Sequence, residues 1–251
     1  MKLRPAPSAK SIRARALDSL NSTVFAAMAL LLAATTGLAD GRNPNPAVLP
    51  PGSTPHGRTY GYWAAAWWTW ALQFPVEQSP ITDPTGAYGS AGQKGPVWFL
   101  AGTLDGLAER SLTIPAGKRI FFPLFNVFND YSCPDPDMQP APGQTLEEFL
   151  TEGAEAISDM ATELFAEVDD VPIQNLWDYR AHSDMKMFTK HPSLLAFDPC
   201  LTDGPQPAVA AGYWLMLAPL TKGQHTLHFG STARFADFEF GVDVTYYLTV
   251  D

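Results

Sequence analysis

The sequence lacks the short motifs by which common catalytic sites are recognised. GxSxG, HExxH, a Walker loop and CxxC are all absent from its 251 residues. Cysteine is scarce, and two cysteines without CxxC spacing, Cys133 and Cys200, do not make a zinc site. No stretch therefore identifies a reaction, and the sequence leaves open whether the protein is an enzyme.

Basic residues are also scarce. The chain has 16 Lys and Arg against 26 Asp and Glu. Residues 1–39 hold five of the basic residues and one of the acidic ones, so residues 40–251 carry 11 against 25, a net charge of −14. An acidic surface of this kind repels phosphate, which excludes nucleic acid and anionic lipid as expected partners.

The first 39 residues are typical of a signal peptide. A basic segment precedes the apolar run Val24 to Ala33, and Gly37 and Ala39 are the small residues expected before a cleavage point. The run is too short for a stable membrane anchor. We expect cleavage after Ala39, export to the periplasm or beyond the cell, and no transmembrane anchor in the mature chain. The alternative is an uncleaved amphipathic N-terminus.

The remaining chain divides into a short arm and one domain. Residues 40–53 are rich in Pro, Gly and Asn and predict a flexible N-terminal arm. Residues 54–251 are enough for one domain with a proper core. In an oxidising compartment we expect Cys133 and Cys200 to form a disulfide, which would add about 4 kcal/mol by the loop-entropy model.

Two predicted strands are apolar on both faces. Residues 97–100 (VWFL) and 213–217 (YWLML) have no polar face to turn toward solvent, whereas residues 242–250 alternate between apolar and polar. In a plain two-layer sandwich every strand would alternate, so the first two need a further layer. The sequence thus predicts a jelly-roll-like antiparallel β-sandwich of about eight strands, partly covered by two α-helices. Pro123 predicts a bulge or an edge in the strand Arg119–Phe128, and residues 191–210 are predicted as loop.

Two helices are predicted to form the covering layer. The first spans Tyr60–Phe74, where Trp63, Trp67, Trp70 and Phe74 share one buried stripe and Pro75 ends the helix. Trp68 lies opposite and is the member of the set that remains free to stack on a ligand. The second begins at Thr145, where the sequence TLEE is a capping box.

Several motifs resemble those of a family of exported bacterial proteins of unassigned function. They are WAAAWWTWAL, DPTG, GQKGPVWFLAGT, TIPAGKRIFFPLFN and GYWLMLAPLTKGQHTLHFG, and together they span roughly residues 60–250. The resemblance implies a secreted β-sandwich-like domain. It implies no activity and no site residues.

Oxygen-bearing side chains are dense after the third central strand. Such side chains suit Ca²⁺, although their spacing matches no EF-hand loop and the alternative is a merely acidic segment. The candidate metal ligands are Asn126, Asn129, Asp130, Asp135 and Asp137. No other cofactor is expected.

Polar and aromatic residues near the buried strands are the candidates for a ligand site, because sites tend to sit on such loops. They are Trp68, Asp83, Gln93, Arg110 and Asn126. Asp83 precedes Pro84 and could instead cap a turn. His225 and His228 lie three apart on one strand and so point to opposite faces, which argues against a shared metal ion.

Two function classes remain open. The first is a binding or structural module outside the cytoplasm, with a small molecule or a cell-surface glycan as its partner. The second is a secreted hydrolase or lyase on the same scaffold. The fold does not decide between them. A deep pocket with converging titratable groups favours the enzyme, whereas a flat aromatic surface favours binding. The oligomeric state is not predicted.

Overall fold

The computed structural model describes residues 45, 47–104, 106–131, 138–196 and 201–251. The predicted signal peptide, Cys133 and Cys200 lie outside the described residues, as do Asp135 and Asp137. The described part is mainly β, with ten strands in two mixed sheets and two α-helices, which confirms the predicted β-sandwich-like fold with helices. No helix in this part is long and apolar enough to cross a membrane.

Sheet A has the strand order β1-β3-β8-β6, and a further strand, β7, also pairs with β8. Its strands are β1 (Val97–Phe99), β3 (Arg119–Asp130), β6 (Arg180–His182), β7 (Lys186–Phe188) and β8 (Gln206–Leu217). The central strands β3 and β8 are almost wholly buried. For β1 and β8 the doubly apolar sequences of residues 97–100 and 213–217 predict this burial. β1 pairs with β3 in parallel, so the sheet is not purely antiparallel.

Sheet B has the strand order β2-β10-β9-β4-β5. Its strands are β2 (Leu107–Ile114), β4 (Ala161–Val168), β5 (Val171–Pro172), β9 (Gly223–Arg234) and β10 (Glu239–Val250). β2 and β10 pair in parallel. In β2 and β10 buried residues alternate with partly or fully exposed ones, as in a sheet with one face in the core and one in water.

Helix α1 (Tyr60–Ala71) forms the layer over the outer face of sheet A. The Thr59 side chain caps its N-terminus by accepting from Tyr62 N. The predicted tryptophan stripe is buried, and Trp67 is 2 % exposed with its ring 5.7 Å from that of Trp214 in β8. The helix ends earlier than predicted, with Leu72 as its C-cap.

Helix α2 (Leu146–Ser158) begins with the predicted capping box, in which Thr145 and Glu148 exchange hydrogen bonds. It does not lie over the same face as α1. Phe128 of β3 contacts Trp68 of α1, whereas the next residue, Asn129, donates to Leu150 O of α2 at 2.8 Å. Since neighbouring strand residues point to opposite faces, α2 packs on the face that also meets sheet B.

The predicted irregularity at Pro123 is confirmed as a β-bulge. The register of β3 against β8 shifts between Pro123 and Phe125, leaving Leu124 as the extra residue. An extra residue reverses which side chains point outward. It thereby places Asn126 on the same face as Phe121 and Phe128, the face that α1 covers.

Two predicted irregular segments are more ordered than expected. β8 begins at Gln206, so the loop predicted to Ala210 was too long; its alanines have weak strand preference but are fully buried. In the predicted flexible arm, Val48 pairs with Leu217 and is 2 % exposed. Asn45 also exchanges hydrogen bonds with the backbone of Gln174. These contacts tie residues 47–49 to the end of β8 in sheet A.

Candidate functional site

A cleft lies between α1, the open edge of β3 and the loops around residues 81 and 102. Its inner part, the chamber, has a volume of about 100 Å³ and is lined by residues including Trp68, Asn126, Gly102 and Phe240. Its outer part, the groove, has a volume of about 330 Å³ and is lined mainly by apolar residues, including Phe128 and Leu194. The two parts share Trp68, Ile81 and Leu104, so they are adjacent.

Two residues that line the chamber carry buried hydrogen-bond donors without an acceptor. Five buried side-chain nitrogens in the described part of the chain have no hydrogen-bond partner there, and two of them, Trp68 Nε1 and Asn126 Nδ2, belong to residues that line the chamber. Most buried polar atoms in proteins are paired, so these two are exceptions. Both nitrogens have almost no exposed surface, so an oxygen atom in the chamber does not reach them.

Arg110 holds two walls of the cleft in place. It occupies an inward position of β2 and is 1 % exposed. Its guanidinium donates to Asp83 O at 2.7 Å and Ile81 O at 3.2 Å on one wall. On the other wall it donates to Ala101 O at 2.7 Å and Gly102 O at 3.0 Å. Arg110 is therefore a structural clamp rather than a group facing the cleft.

The loop that carries Asp83 is fixed by its own carboxylate. Asp83 Oδ1 accepts from Thr85 N and Oγ1, and Oδ2 accepts from Tyr88 N at 2.9 Å. Burial alone would raise the pKa of Asp83, but these hydrogen bonds outweigh it and hold the pKa below its ordinary value. The Asp83 carboxylate therefore caps a turn, as its position before Pro84 had allowed.

Gln93 also acts on the backbone. Its amide accepts from Phe99 N at 2.9 Å and donates to Phe99 O at 2.8 Å, as a neighbouring strand would. It therefore fastens the loop before β1 to β1 itself. Of the five candidate ligand residues, the structure brings Trp68 and Asn126 together in the chamber, while Asp83, Gln93 and Arg110 build its surroundings.

The three described members of the candidate calcium set lie in different surroundings. Asn126 lines the chamber, and Asn129 donates a hydrogen bond to Leu150 O of α2. Asp130 Oδ2 lies 3.2 Å from the buried ammonium of Lys190. The strand continues to Asp130, two residues beyond its predicted end, and its alternation places Asn129 on the face opposite to Asn126 and Asp130. Because Asp135 and Asp137 lie outside the described residues, the calcium site as a whole stays a prediction.

His228 lies on the solvent-facing side of sheet B between two carboxylates. Its Nε2 is 2.8 Å from Asp243 Oδ1, and its Nδ1 is 3.3 Å from Glu167 Oε1. Burial lowers the pKa of His228, but hydrogen bonds to Asp243 and Glu167 outweigh it, and the pKa lies above its ordinary value. The His228 ring therefore bridges β4, β9 and β10, and its protonated form is the one that these carboxylates favour.

We expect His228 to make stability depend on pH. A raised folded-state pKa means that the stabilisation is complete below about pH 6.5, the unfolded value, and is lost as pH rises through the folded value. The loss should be below about 1 kcal/mol because the pairs are partly exposed. Urea unfolding of wild type and His228→Gln between pH 5.5 and 9 measures it. If the free energy of unfolding changes with pH in the same way in both proteins, this role of His228 is contradicted.

Several residues of the cleft were not found from the sequence. Phe128, Ile81, Leu104 and Phe240 look like ordinary apolar residues, and their meeting depends on long-range packing. Besides Trp68 and Asn126 themselves, the sequence signal that bears on the cleft is Pro123, whose bulge turns Asn126 toward α1. Among the described residues that line the chamber and the groove, none is titratable.

Comparison with known proteins identifies no family. No family model matches the chain, and no curated protein matches it. A cysteine protease inhibitor from Entamoeba histolytica is 13% identical with a TM-score of 0.20, covering 56% of this chain and 86% of the other. PbICP-C in complex with falcipain-2 is 10% identical with a TM-score of 0.23, covering 62% and 100%. Neither is similar enough to indicate a function, so the predicted family of exported bacterial proteins stays a prediction.

Proposed function

We propose that the protein is an exported binding module that takes a largely apolar small molecule in the cleft beside Trp68. The observation that carries the proposal is the apolar groove of about 330 Å³ that continues into the chamber, with Trp68 lining both parts. Ligand sites are typically apolar concavities with a few placed polar groups. Export rests on the leader-like sequence of residues 1–39.

The walls of the cleft support binding because they are fixed before any ligand arrives. Arg110, Asp83 and Gln93 hold the loops around residues 81 and 102 through backbone hydrogen bonds. A preformed site spares the ligand the entropy of ordering these loops. A glycan is less well suited to this cleft, since most of its hydroxyl groups would face apolar side chains.

The test uses N-phenyl-1-naphthylamine, a neutral apolar dye whose fluorescence rises in an apolar site. We expect saturable binding to the purified protein with one site per chain. Leu194→Arg places a charge in the groove and should weaken binding at least tenfold, because a buried unpaired charge is costly. Leu220→Arg is the matched control, since Leu220 is also half-buried but lines a separate concavity near His225. It should leave binding unchanged.

Two outcomes would reject the proposal. One is the absence of saturable binding by a correctly folded wild-type protein. The other is loss of binding in Leu220→Arg with retention in Leu194→Arg, which would place the dye elsewhere. Circular dichroism of each variant shows whether its fold is retained.

A further inference from the structure

One edge of β3 borders the cleft without a neighbouring strand. We propose that a short extended peptide with apolar side chains binds there as an added strand of sheet A, by β-augmentation. This proposal rests on the proposed function, because it concerns the same cleft, and it names the class of ligand. It follows from the direction of the β3 backbone groups, from the apolar groove beside them and from the charges at the outer end of the cleft.

β1 accompanies β3 over its first residues. Residues 97–99 pair with residues 119–121, and Leu100 N donates to Phe121 O at 3.0 Å. On the opposite edge, β8 pairs with β3 as far as Asp130. In the described part of the chain, residues 122–128 therefore have a neighbouring strand on one side and the cleft on the other.

The alternation of the backbone shows which groups point toward this open edge. Tyr131 N donates to Pro207 O next to β8 at 3.0 Å, so the residues two and four positions earlier also face β8. Asn126 and Phe128 occupy the other positions and direct their N–H and C=O groups away from β8. Among the described residues, these four backbone groups have no hydrogen-bond partner.

Both residues are accessible from the cleft. Asn126 and Phe128 are half-buried, although Val127 between them is buried. Asn126 lines the chamber and Phe128 lines the groove, so the open edge runs along both parts of the cleft. Two donors and two acceptors in alternation are the backbone pattern that an added strand satisfies, because each of its residues in turn offers one N–H and one C=O.

The groove accommodates apolar side chains of such a peptide. Side chains of an added strand project alternately to the two faces of the sheet. On the face that α1 covers they meet the groove of about 330 Å³, where the rings of Trp68 and Phe128 lie 5.0 Å apart and Leu72 and Leu194 contribute to the lining. None of the described residues that line the groove is charged, so the side chains that enter it are apolar.

Charges at the outer end of the groove favour basic residues at the ends of the peptide. Glu77 is exposed and follows Val76 of the groove lining, and Asp203 is exposed two residues after Leu201 of the same lining. The net charge of −14 on residues 40–251 acts in the same direction. Complementary charge of this kind speeds association and discriminates against acidic partners.

The probe is the peptide KLTLK, acetylated and amidated at its ends, with wild-type protein labelled with ¹⁵N. We expect saturable binding that moves the backbone N–H resonances of Asn126 and Phe128 downfield, because both donors gain an acceptor. The N–H of Val127, which already faces β8, should move far less. Leu194→Arg should weaken peptide binding at least tenfold, whereas Leu220→Arg, in a separate concavity, should leave it unchanged.

Two N-methylated versions of the peptide test the pairing from the side of the ligand. One is methylated on both leucine nitrogens, and the other on the nitrogens of threonine and the last lysine. Because alternate N–H groups of a strand point to the same side, one version loses its donors to β3 and the other keeps them. We expect their affinities to differ at least tenfold, and the weaker version shows in which direction the peptide runs.

The outcomes separate strand addition from the proposed function. Equal affinities of the two methylated peptides, or peptide binding with the Asn126 and Phe128 resonances unmoved, would overturn strand addition and leave an apolar binding site. Peptide binding retained in Leu194→Arg would also overturn it, as would binding of the naphthylamine dye without binding of the peptide. Absence of binding by both dye and peptide rejects both proposals. The resonances of the wild-type protein decide even if a variant does not fold.

Discussion

Arg110→Met is expected to destabilise the protein by about 3–5 kcal/mol. The truncated side chain would leave the carbonyl oxygens of Ile81, Asp83 and Gly102 buried without the donors that now pair with them. Each unsatisfied buried group costs about 1–3 kcal/mol. Urea unfolding should show the loss as a lower midpoint with an unchanged slope.

Arg234→Met is the matched control. Arg234 pairs with Glu239 at 2.7 Å, but its side chain is 70% exposed. An exposed pair of this kind is worth about 0–1 kcal/mol, so this variant should unfold close to wild type. Similar midpoints for the two arginine variants would show that Arg110 does not clamp the loops. Arg110→Lys should restore little of the stability that Arg110→Met loses, because one ammonium cannot reach both walls in the way that a planar guanidinium does.

Trp67→Ala is expected to cost about 3–5 kcal/mol, as large truncations in a core do. Trp67 is 2 % exposed, its ring meets those of Trp70 and Trp214, and its Nε1 donates to Leu100 O at 2.8 Å. It is the central contact between α1 and sheet A. Thermal or urea unfolding measures the loss, and Trp67→Phe should cost less because most of the packing remains.

Trp177→Ala serves as the control for tryptophan removal. Trp177 is 49% exposed and contacts the ring of Tyr213. Its removal should cost below about 1.5 kcal/mol, the range of a single aromatic pair. A Trp67→Ala variant no less stable than Trp177→Ala would mean that α1 does not complete the core.

Local patterns in the sequence predicted the parts of the fold that depend on near neighbours. The stripe of Trp63, Trp67 and Trp70 gave the buried face of α1, and the TLEE sequence gave the start of α2. Pro123 gave the bulge, because a residue without an N–H cannot complete a strand ladder. In the site, Trp68 was identified because it lies off the buried stripe.

The sequence did not predict what depends on distant partners. Arg110 was predicted to line a ligand site because it is a polar residue near the buried strands. β2 begins at Leu107, so Arg110 shares the inward face of Ala108 and Leu112, where its charge is paired with carbonyl oxygens from two loops. The parallel pairings and the face that α2 covers likewise have no signature within any short segment.

The place of β10 in sheet B sets the order in which the protein can fold. β10 lies between β2 and β9, so residues 107–114 meet their partners only when residues 243–250 are available. Contacts across such long sequence separations are slow to form, and β proteins rich in them fold in roughly milliseconds to seconds. Until then β2 and β9 each present an unpaired edge, the kind of surface on which unfinished chains aggregate. A nascent chain that has not yet gained β10 therefore depends on being shielded rather than on folding early.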